Sequence, residues 1–179
     1  MPARIIDGRA LAKAMREGFV RRIEALGAQG VTPGLAVLLI GDDPASAVYV
    51  GRKLKACEAV GITSFTERLP ATISNAELLG RIVELNADPA IHGILVQLPL
   101  PPHIDMARVL ETISADKDVD GFHLYNVGGL VTGTTVFSPC TPYGVVKLLE
   151  HENIPIEGQN VVVVGASNIV GKPMALMLM

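Results

Sequence analysis

The sequence predicts an α/β fold: an N-terminal three-layer domain with a mainly parallel sheet, followed by the start of a second unit of the same class. Three observations carry this reading. Continuous apolar runs, Leu35 to Ile40 and the core of Ile91 to Gln97, suit strands buried on both faces. Other segments repeat apolar residues at three- and four-residue intervals, as helices do. The two kinds of segment alternate along the chain, which is the mark of a parallel sheet covered on both sides.

In chain order, Gly8 to Gly27 carries Leu11, Met15, Phe19 or Val20, Ile23 and Leu26 at helical spacing, an amphipathic first helix. A break at Gly30 to Gly34 leads into the strand Leu35 to Ile40. Asp43 to Gly61 then reads as a helix with both ends marked: Asp43 can cap it, Pro44 falls at the first helical position, and Gly61 falls where a left-handed residue is wanted. Ala47, Val50, Leu54 and Cys57 form its apolar stripe, and Tyr49 and Lys53 lie four apart on the flank. Taken alone, that pair fits a boundary tyrosine beside a solvated lysine as well as it fits a site.

Ile62 to Leu69 is a second, more mixed strand. Ser74 to Asn86 is a helix with Leu78, Leu79, Ile82, Val83 and Leu85 facing inward. Ile91 to Gln97 is a buried strand stopped by Leu-Pro-Leu-Pro-Pro, which lacks the donors to continue it. A helix from about Asp105 to Ile113 and an irregular, glycine-rich segment, Asp118 to Thr134, complete the first unit.

The character changes at Pro139, so the domain boundary is set between residues 140 and 141. Thr141 is read as the cap and Pro142 as the first residue of a linking helix. Asn160 to Gly165, with four consecutive valines, is expected to be a strand that turns tightly into a helix, the opening of a Rossmann-type unit. Its pattern is Gly-x-Ser-x-x-x-Gly instead of Gly-x-Gly-x-x-Gly. The motif therefore fits a nucleotide site and an ordinary strand-to-helix turn equally. A doubly wound domain needs on the order of 100 further residues, so the sequence reads as part of a longer protein.

Composition narrows the function classes. A formal net charge of -3 without a basic block argues against nucleic acid or an anionic membrane as the principal partner. No apolar run approaches the roughly 18 residues that span a bilayer, and the first residues lack the order of a signal peptide, so a cytoplasmic protein is expected. Cys57 and Cys140 are expected to be free thiols, and with four scattered histidines they make no metal-binding spacing. Small-molecule chemistry is what remains.

Six strings, in order along the chain, then become informative together: Ser46-x-x-Tyr49-x-x-x-Lys53, Gly93-Ile-Leu-Val-Gln-Leu-Pro-Leu-Pro, Lys117-Asp-Val-Asp-Gly-Phe-His, Asn126-x-Gly128-x-Leu130, Pro139-Cys-Thr-Pro-x-Gly and Val164-Gly-x-Ser-x-Ile-Val-Gly-x-Pro. In this combination the chain resembles the bifunctional methylenetetrahydrofolate dehydrogenase/cyclohydrolase family. The resemblance implies oxidation of 5,10-methylenetetrahydrofolate with NADP, hydrolysis of the resulting methenyl cation to 10-formyltetrahydrofolate, and a homodimer. It assigns Lys53 and Gln97 to catalysis, Tyr49 to the folate face and Asp120 to the pterin ring, whose adjacent N–H groups suit a bidentate carboxylate. It assigns Gly165, Ala166, Ser167 and Ile169 to the cofactor.

The two reactions make different demands. Hydride leaves a carbon flanked by two nitrogens that stabilise the cation, so positioning dominates and no strong base is needed. Hydrolysis needs a proton taken from water and given to the departing nitrogen, which one titratable group can do. Lys53 is that group in the resemblance, with Gln97 bonded to it; partial burial and the cationic intermediate both favour its neutral amine. Because Lys53 lies about nine residues into its helix, roughly 14 Å from the strand edge, the cleft is expected to run along the helix flank.

Lys117, Asp118 and His123 share a string with Asp120, and for them ligand contact and loop bracing both stand. Cys140 is read as loop packing and not as a nucleophile. Many members of the family carry arginine at the position of Ala166, so the choice between NADP and NAD is open here, and Lys172 is an alternative source of positive charge. Two other readings compete with the enzyme: a chain that acts only as a folate-binding or dimerising module, and an unrelated Rossmann oxidoreductase.

Overall fold

The computed structural model describes residues 3–179. Its centre is a three-stranded parallel sheet in the order β2-β1-β3, with β1 at Gly34–Ile40, β2 at Thr63–Leu69 and β3 at Gly93–Val96. Every residue of β1 except Leu35 is buried, and all of β3 is buried. Side chains alternate across a strand. Val37, Leu39 and Leu95 therefore face one layer, and Ala36, Leu38, Ile40, Ile94 and Val96 face the other.

Each face has its own cover. The first is closed by α2, Pro44–Val60, through Val50, Ala47 and Leu54. The second is closed by α3, Asn75–Ala87, through Leu78, Ile82 and Leu85, and by α4, Met106–Thr112, through Val109. Each such side chain, taken fully out of water, contributes about 1.5–3 kcal/mol. This is the three-layer arrangement that the continuous apolar runs imply. The amphipathic α1, Gly8–Gly27, lies outside it against α2 and α6 and buries no residue completely.

The helix ends follow local chemistry. Asp43 Oδ2 accepts from the Ser46 N–H at 2.7 Å, Pro44 opens α2, and Gly61 closes it in the left-handed region at φ 89°. Ser74 and Glu77 form a reciprocal capping box on α3. One residue of α3 departs from expectation: Val83 is 56% exposed. Leu78, Ile82 and Leu85 take the core face, and at about 100° per residue Val83 rotates onto the flank.

Three further expectations are corrected. The segment from Asp118 to Thr134 is not irregular throughout, because Leu124–Thr132 forms α5, capped by His123 Nδ1 accepting from Tyr125 N–H at 3.0 Å. Gly129 serves packing: a Cβ there would stand 2.6 Å from the Thr135 Cα. The linking helix α6 is Cys140–His151, with Pro139 at its cap and no side-chain cap bond, so Thr141 and Pro142 sit inside its first turn. There the proline's missing N–H still costs nothing.

Finally, Asn160 to Gly165 is not a strand. Among the described residues nothing pairs with it, and Val162 and Val164 are 87% and 97% exposed. A strand exists by its ladder, and β-propensity without a neighbour does not make one. The chain then turns at residues 168–170 into α7, Gly171–Met177.

The segment after α4 returns to the sheet beside β3, where Ile94 N–H donates to Lys117 O at 2.7 Å. It then turns sharply at Gly121, φ +71°, where a Cβ would lie 2.6 Å from Pro139 N. Gly121→Ala should therefore cost roughly 2–4 kcal/mol in urea unfolding. Gly128→Ala, on the open side of α5 with nothing within 4 Å, should gain up to about 1 kcal/mol in the same measurement.

Candidate functional site

The parallel sheet places the carboxyl ends of β1 and β3 side by side, and α2 starts four residues beyond the end of β1. Positions 46, 49 and 53 fall on one edge of that helix, and this edge faces the chain leaving β3. The result is a cleft of about 250 Å³ lined by Ser46, Tyr49 and Lys53 on one side and Gln97, Leu98 and Pro99 on the other. It runs along the flank of α2, as the position of Lys53 predicts. The length of the lysine side chain also brings its amine back to the strand end.

There Lys53 Nζ donates to Gln97 Oε1 at 3.3 Å. The other end of the same amide is anchored, since Gln97 Nε2 donates to Leu98 O at 2.7 Å. The anchor fixes which way the amide points, so its oxygen is the atom offered to the lysine. Lys53 is half-buried, while Tyr49 is 59% exposed and leaves its ring open to the cleft. A flat, accessible phenol beside an oriented amine suits a planar ligand that carries polar groups at its edge.

Asp120 approaches from the segment beside β3. It does not line the cleft itself, but its carboxyl and the Lys53 amine feel each other's charge. Burial raises the Asp120 pKa, the positive charge of Lys53 opposes that rise, and the Asp118 carboxylate adds to it. Among the described residues, the Asp120 side chain takes no part in the hydrogen bonds that hold its own loop. Those belong to Asp118, which is 2% exposed and accepts from Gly121 N–H at 3.1 Å, His123 N–H at 2.8 Å and Asn126 Nδ2 at 3.0 Å.

Three neighbours of Asp120 make bracing contacts. Asp118 is a brace. Lys117 Nζ donates to the carbonyls of Asn86 and Asp88 at 2.8 and 2.9 Å and so closes the end of α3. His123 caps α5. Cys140 Sγ donates to Val119 O at 3.1 Å, and burial, followed by the charge of Asp120, raises its pKa. Cys140 is thus not a packed loop residue but the exposed first residue of α6, tied to the loop through that one bond.

The positions expected to hold the cofactor lie elsewhere. Gly165, Ala166, Ser167 and Ile169 are all exposed. Ser167 Oγ accepts from Val170 and Gly171 N–H at 3.1 and 3.2 Å, and a Cβ on Gly171 would stand 2.3 Å from Gly165 O. This is a close turn into a helix of the kind a dinucleotide approaches through backbone, so the residues fit that group. Lys172 Nζ is held by Asn168 Oδ1 at 2.7 Å. Ile169 and Lys172 line a separate hollow with Phe122 and Leu124, so the structure does not bring this turn to the lysine cleft. Sequence reasoning assigned no role to Ser46, although its spacing to Tyr49 and Lys53 placed it on the same edge.

A parallel sheet covered on both sides, with an oriented lysine where its strands end, defines an α/β protein with a cleft of small-molecule size at the carboxyl edge of the sheet. Comparison makes the family plain. Residues 6–120 match the model of the tetrahydrofolate dehydrogenase/cyclohydrolase catalytic domain, and residues 139–179 match that family's NAD(P)-binding domain. The chain belongs to the tetrahydrofolate dehydrogenase/cyclohydrolase family.

It is 62% identical over 177 residues to the bifunctional protein FolD of Bordetella petrii, covering 99% of this chain and 60% of that protein. A crystal structure of FolD from Campylobacter jejuni superimposes with a TM-score of 0.95 at 50% identity, covering 97% of this chain and 62% of that one. The methylenetetrahydrofolate dehydrogenase-cyclohydrolase of Trypanosoma brucei, complexed with NADP and an inhibitor, gives 0.94 at 39% identity, covering 99% and 62%. The chain thus spans about three-fifths of the length of the relatives it matches.

The raised pKa of Asp120 has a stability consequence with a definite sign. A carboxyl that holds its proton more tightly in the folded state favours folding when protonated, and that contribution is lost as pH rises through the folded pKa. Asp120→Asn mimics the neutral form. Its urea midpoint should exceed that of the wild type at neutral pH, and the difference should close as pH falls through the ordinary carboxylate range.

Proposed function

We propose that this chain supplies the folate-binding and catalytic wall of a bifunctional enzyme that oxidises 5,10-methylenetetrahydrofolate with NADP and hydrolyses the product to 10-formyltetrahydrofolate. In this reading residues 1–140 are the folate-binding catalytic domain. Residues 141–179 are the linking helix and the first part of the NAD(P)-binding domain. The observation that carries the reading is the Lys53 amine on the anchored amide of Gln97, in a cleft open to the Tyr49 ring. Family membership supports it, as does the printed description of the Trypanosoma brucei relative with NADP.

The residues divide the work. Tyr49 offers its face to the folate rings, and the Asp120 carboxylate accepts from the adjacent N–H groups of the pterin. Gly165, Ala166, Ser167 and Ile169 would hold the cofactor, whose nicotinamide would supply the hydride acceptor. Lys53 manages the hydrolysis. Its neutral amine takes a proton from water as the oxygen bonds to the methenyl carbon. The ammonium then returns that proton to N5 as the carbon–N5 bond breaks, and the hydroxyl gives its remaining proton to solvent as the carbonyl closes, leaving the formyl group on N10. Gln97 Oε1 accepts from the amine in both states, so the group stays aimed while its charge changes. Assembly as a homodimer belongs to the same reading.

Lys53→Met in the protein made from its complete gene should lower methenyltetrahydrofolate hydrolysis by roughly 10²- to 10⁴-fold, the usual worth of a positioned acid–base group. Hydrolysis within a few-fold of wild type would refute the assignment. The unpaired valines of residues 161–164, with Val161, Val162 and Val164 exposed, favour a second reading, in which the 179-residue chain only binds folate. Isothermal titration of this chain with tetrahydrofolate and with NADP separates the two. Binding of tetrahydrofolate alone is the outcome expected for the module, and turnover with both ligands dismisses it.

A further inference from the structure

Asn126 stands in one of the sequence strings and has no place in the chemistry above. It lies on α5, a helix that carries none of the assigned residues, and it is 0% exposed. Its amide is fully used: Nδ2 donates to Ala115 O at 2.8 Å and to Asp118 Oδ2 at 3.0 Å, and Oδ1 accepts from Phe137 N–H at 3.3 Å. Its backbone carbonyl accepts from Thr135 Oγ1 at 2.9 Å. One side chain therefore joins the segment before the Asp120 turn to the segment that leads into α6.

The connection continues through Asp118. Its two oxygens take Gly121 N–H, His123 N–H and Asn126 Nδ2, so the turn is held on both sides of Asp120. Gly121 in turn presses on Pro139, at the far end of the segment that Asn126 also grips. Within this clamp Asp120 is the residue left without a task. The charged and titratable groups around it are Lys53, Asp118 and Cys140.

We propose that Asn126 is a positioning residue for the site: by holding Asp118 and the 135–137 segment together, it sets the turn that presents the Asp120 carboxylate to the folate beside Lys53. The effect on folate rests on the reading of Asp120 given above. The effect on the turn does not. A buried asparagine that served stability alone would lower folding free energy and leave the placement of Asp120 unchanged in the molecules that fold. A positioning residue acts through Asp120 and loses its influence when Asp120 is neutralised.

The test uses the full-length protein with Asn126→Ser, Asp120→Asn and the double variant. Ser74→Ala, which weakens the cap of α3 far from the clamp, is the control. Carboxyl NMR follows the titration of Asp120 without ligand, and calorimetry measures tetrahydrofolate binding. Asn126→Ser should move the Asp120 midpoint down toward the ordinary carboxylate value as the turn loosens into solvent. It should also weaken tetrahydrofolate about tenfold in the wild-type background and less than about twofold with Asp120→Asn. Ser74→Ala should change neither. An unmoved midpoint in folded Asn126→Ser, or an equal loss in both backgrounds, overturns the proposal.

If Asn126→Ser does not fold, Thr135→Val, which releases the Asn126 and Phe137 carbonyls from the Thr135 hydroxyl and leaves the Asn126 amide in place, should shift the midpoint in the same direction by less. No shift there is equally decisive. Absence of tetrahydrofolate binding in the wild type would count against the proposed function, while the NMR titration would still decide the role of Asn126.

Discussion

Burial of β1 on both faces is the constraint from which the rest of the structure follows. A strand with six of its seven residues inside needs a layer on each side, and the chain provides α2 for one and α3 with α4 for the other. Because the strands are parallel, each helix must carry the chain back along the sheet before the next strand begins. The helix that leaves β1 therefore starts at the carboxyl edge and runs past the end of β3. Lys53 meets Gln97 there because the topology leaves α2 no other path, and the cleft is a by-product of covering the core.

The other side of the site is held by polar chemistry. Val119 ties the turn to the apolar layer of Val37, Leu39 and Leu95, and beside it three N–H donors surround the one buried carboxylate of Asp118. Such a network tolerates little displacement, since a buried donor or acceptor left unpaired costs about 1–3 kcal/mol. The site thus combines an amine fixed by helix packing with a carboxylate fixed by hydrogen bonds. Asp120 is the member of this second group that stays available, and burial keeps its charge unfavourable in the absence of a partner.

What could be read in the sequence was what local chemistry decides. Asp43, Pro44 and Gly61 mark α2 without reference to anything distant, and the Leu35 to Ile40 run announces a doubly buried strand. α5 was hidden because Gly129 weakens the helical signal for the sake of Thr135, a neighbour that only the folded chain supplies. The valines at 161–164 misled for the opposite reason, since their propensity is local and a ladder is not. Lys53 and Tyr49 could be placed on one edge by counting. That the edge faces Gln97, and that Asp118 braces while Asp120 is free, depends on burial and hydrogen bonds that no spacing encodes.

Cys140 shows what this placement means for the cell's reactive chemistry. The residue is exposed, yet its thiol gives its hydrogen to the Val119 carbonyl, and burial and two nearby carboxylates hold that hydrogen in place. Oxidants and electrophiles take thiolates, and here the thiolate is disfavoured. A cysteine beside the cleft thus has its thiol, not its thiolate, favoured by the acidic loop next to it, which lowers its reactivity toward oxidants.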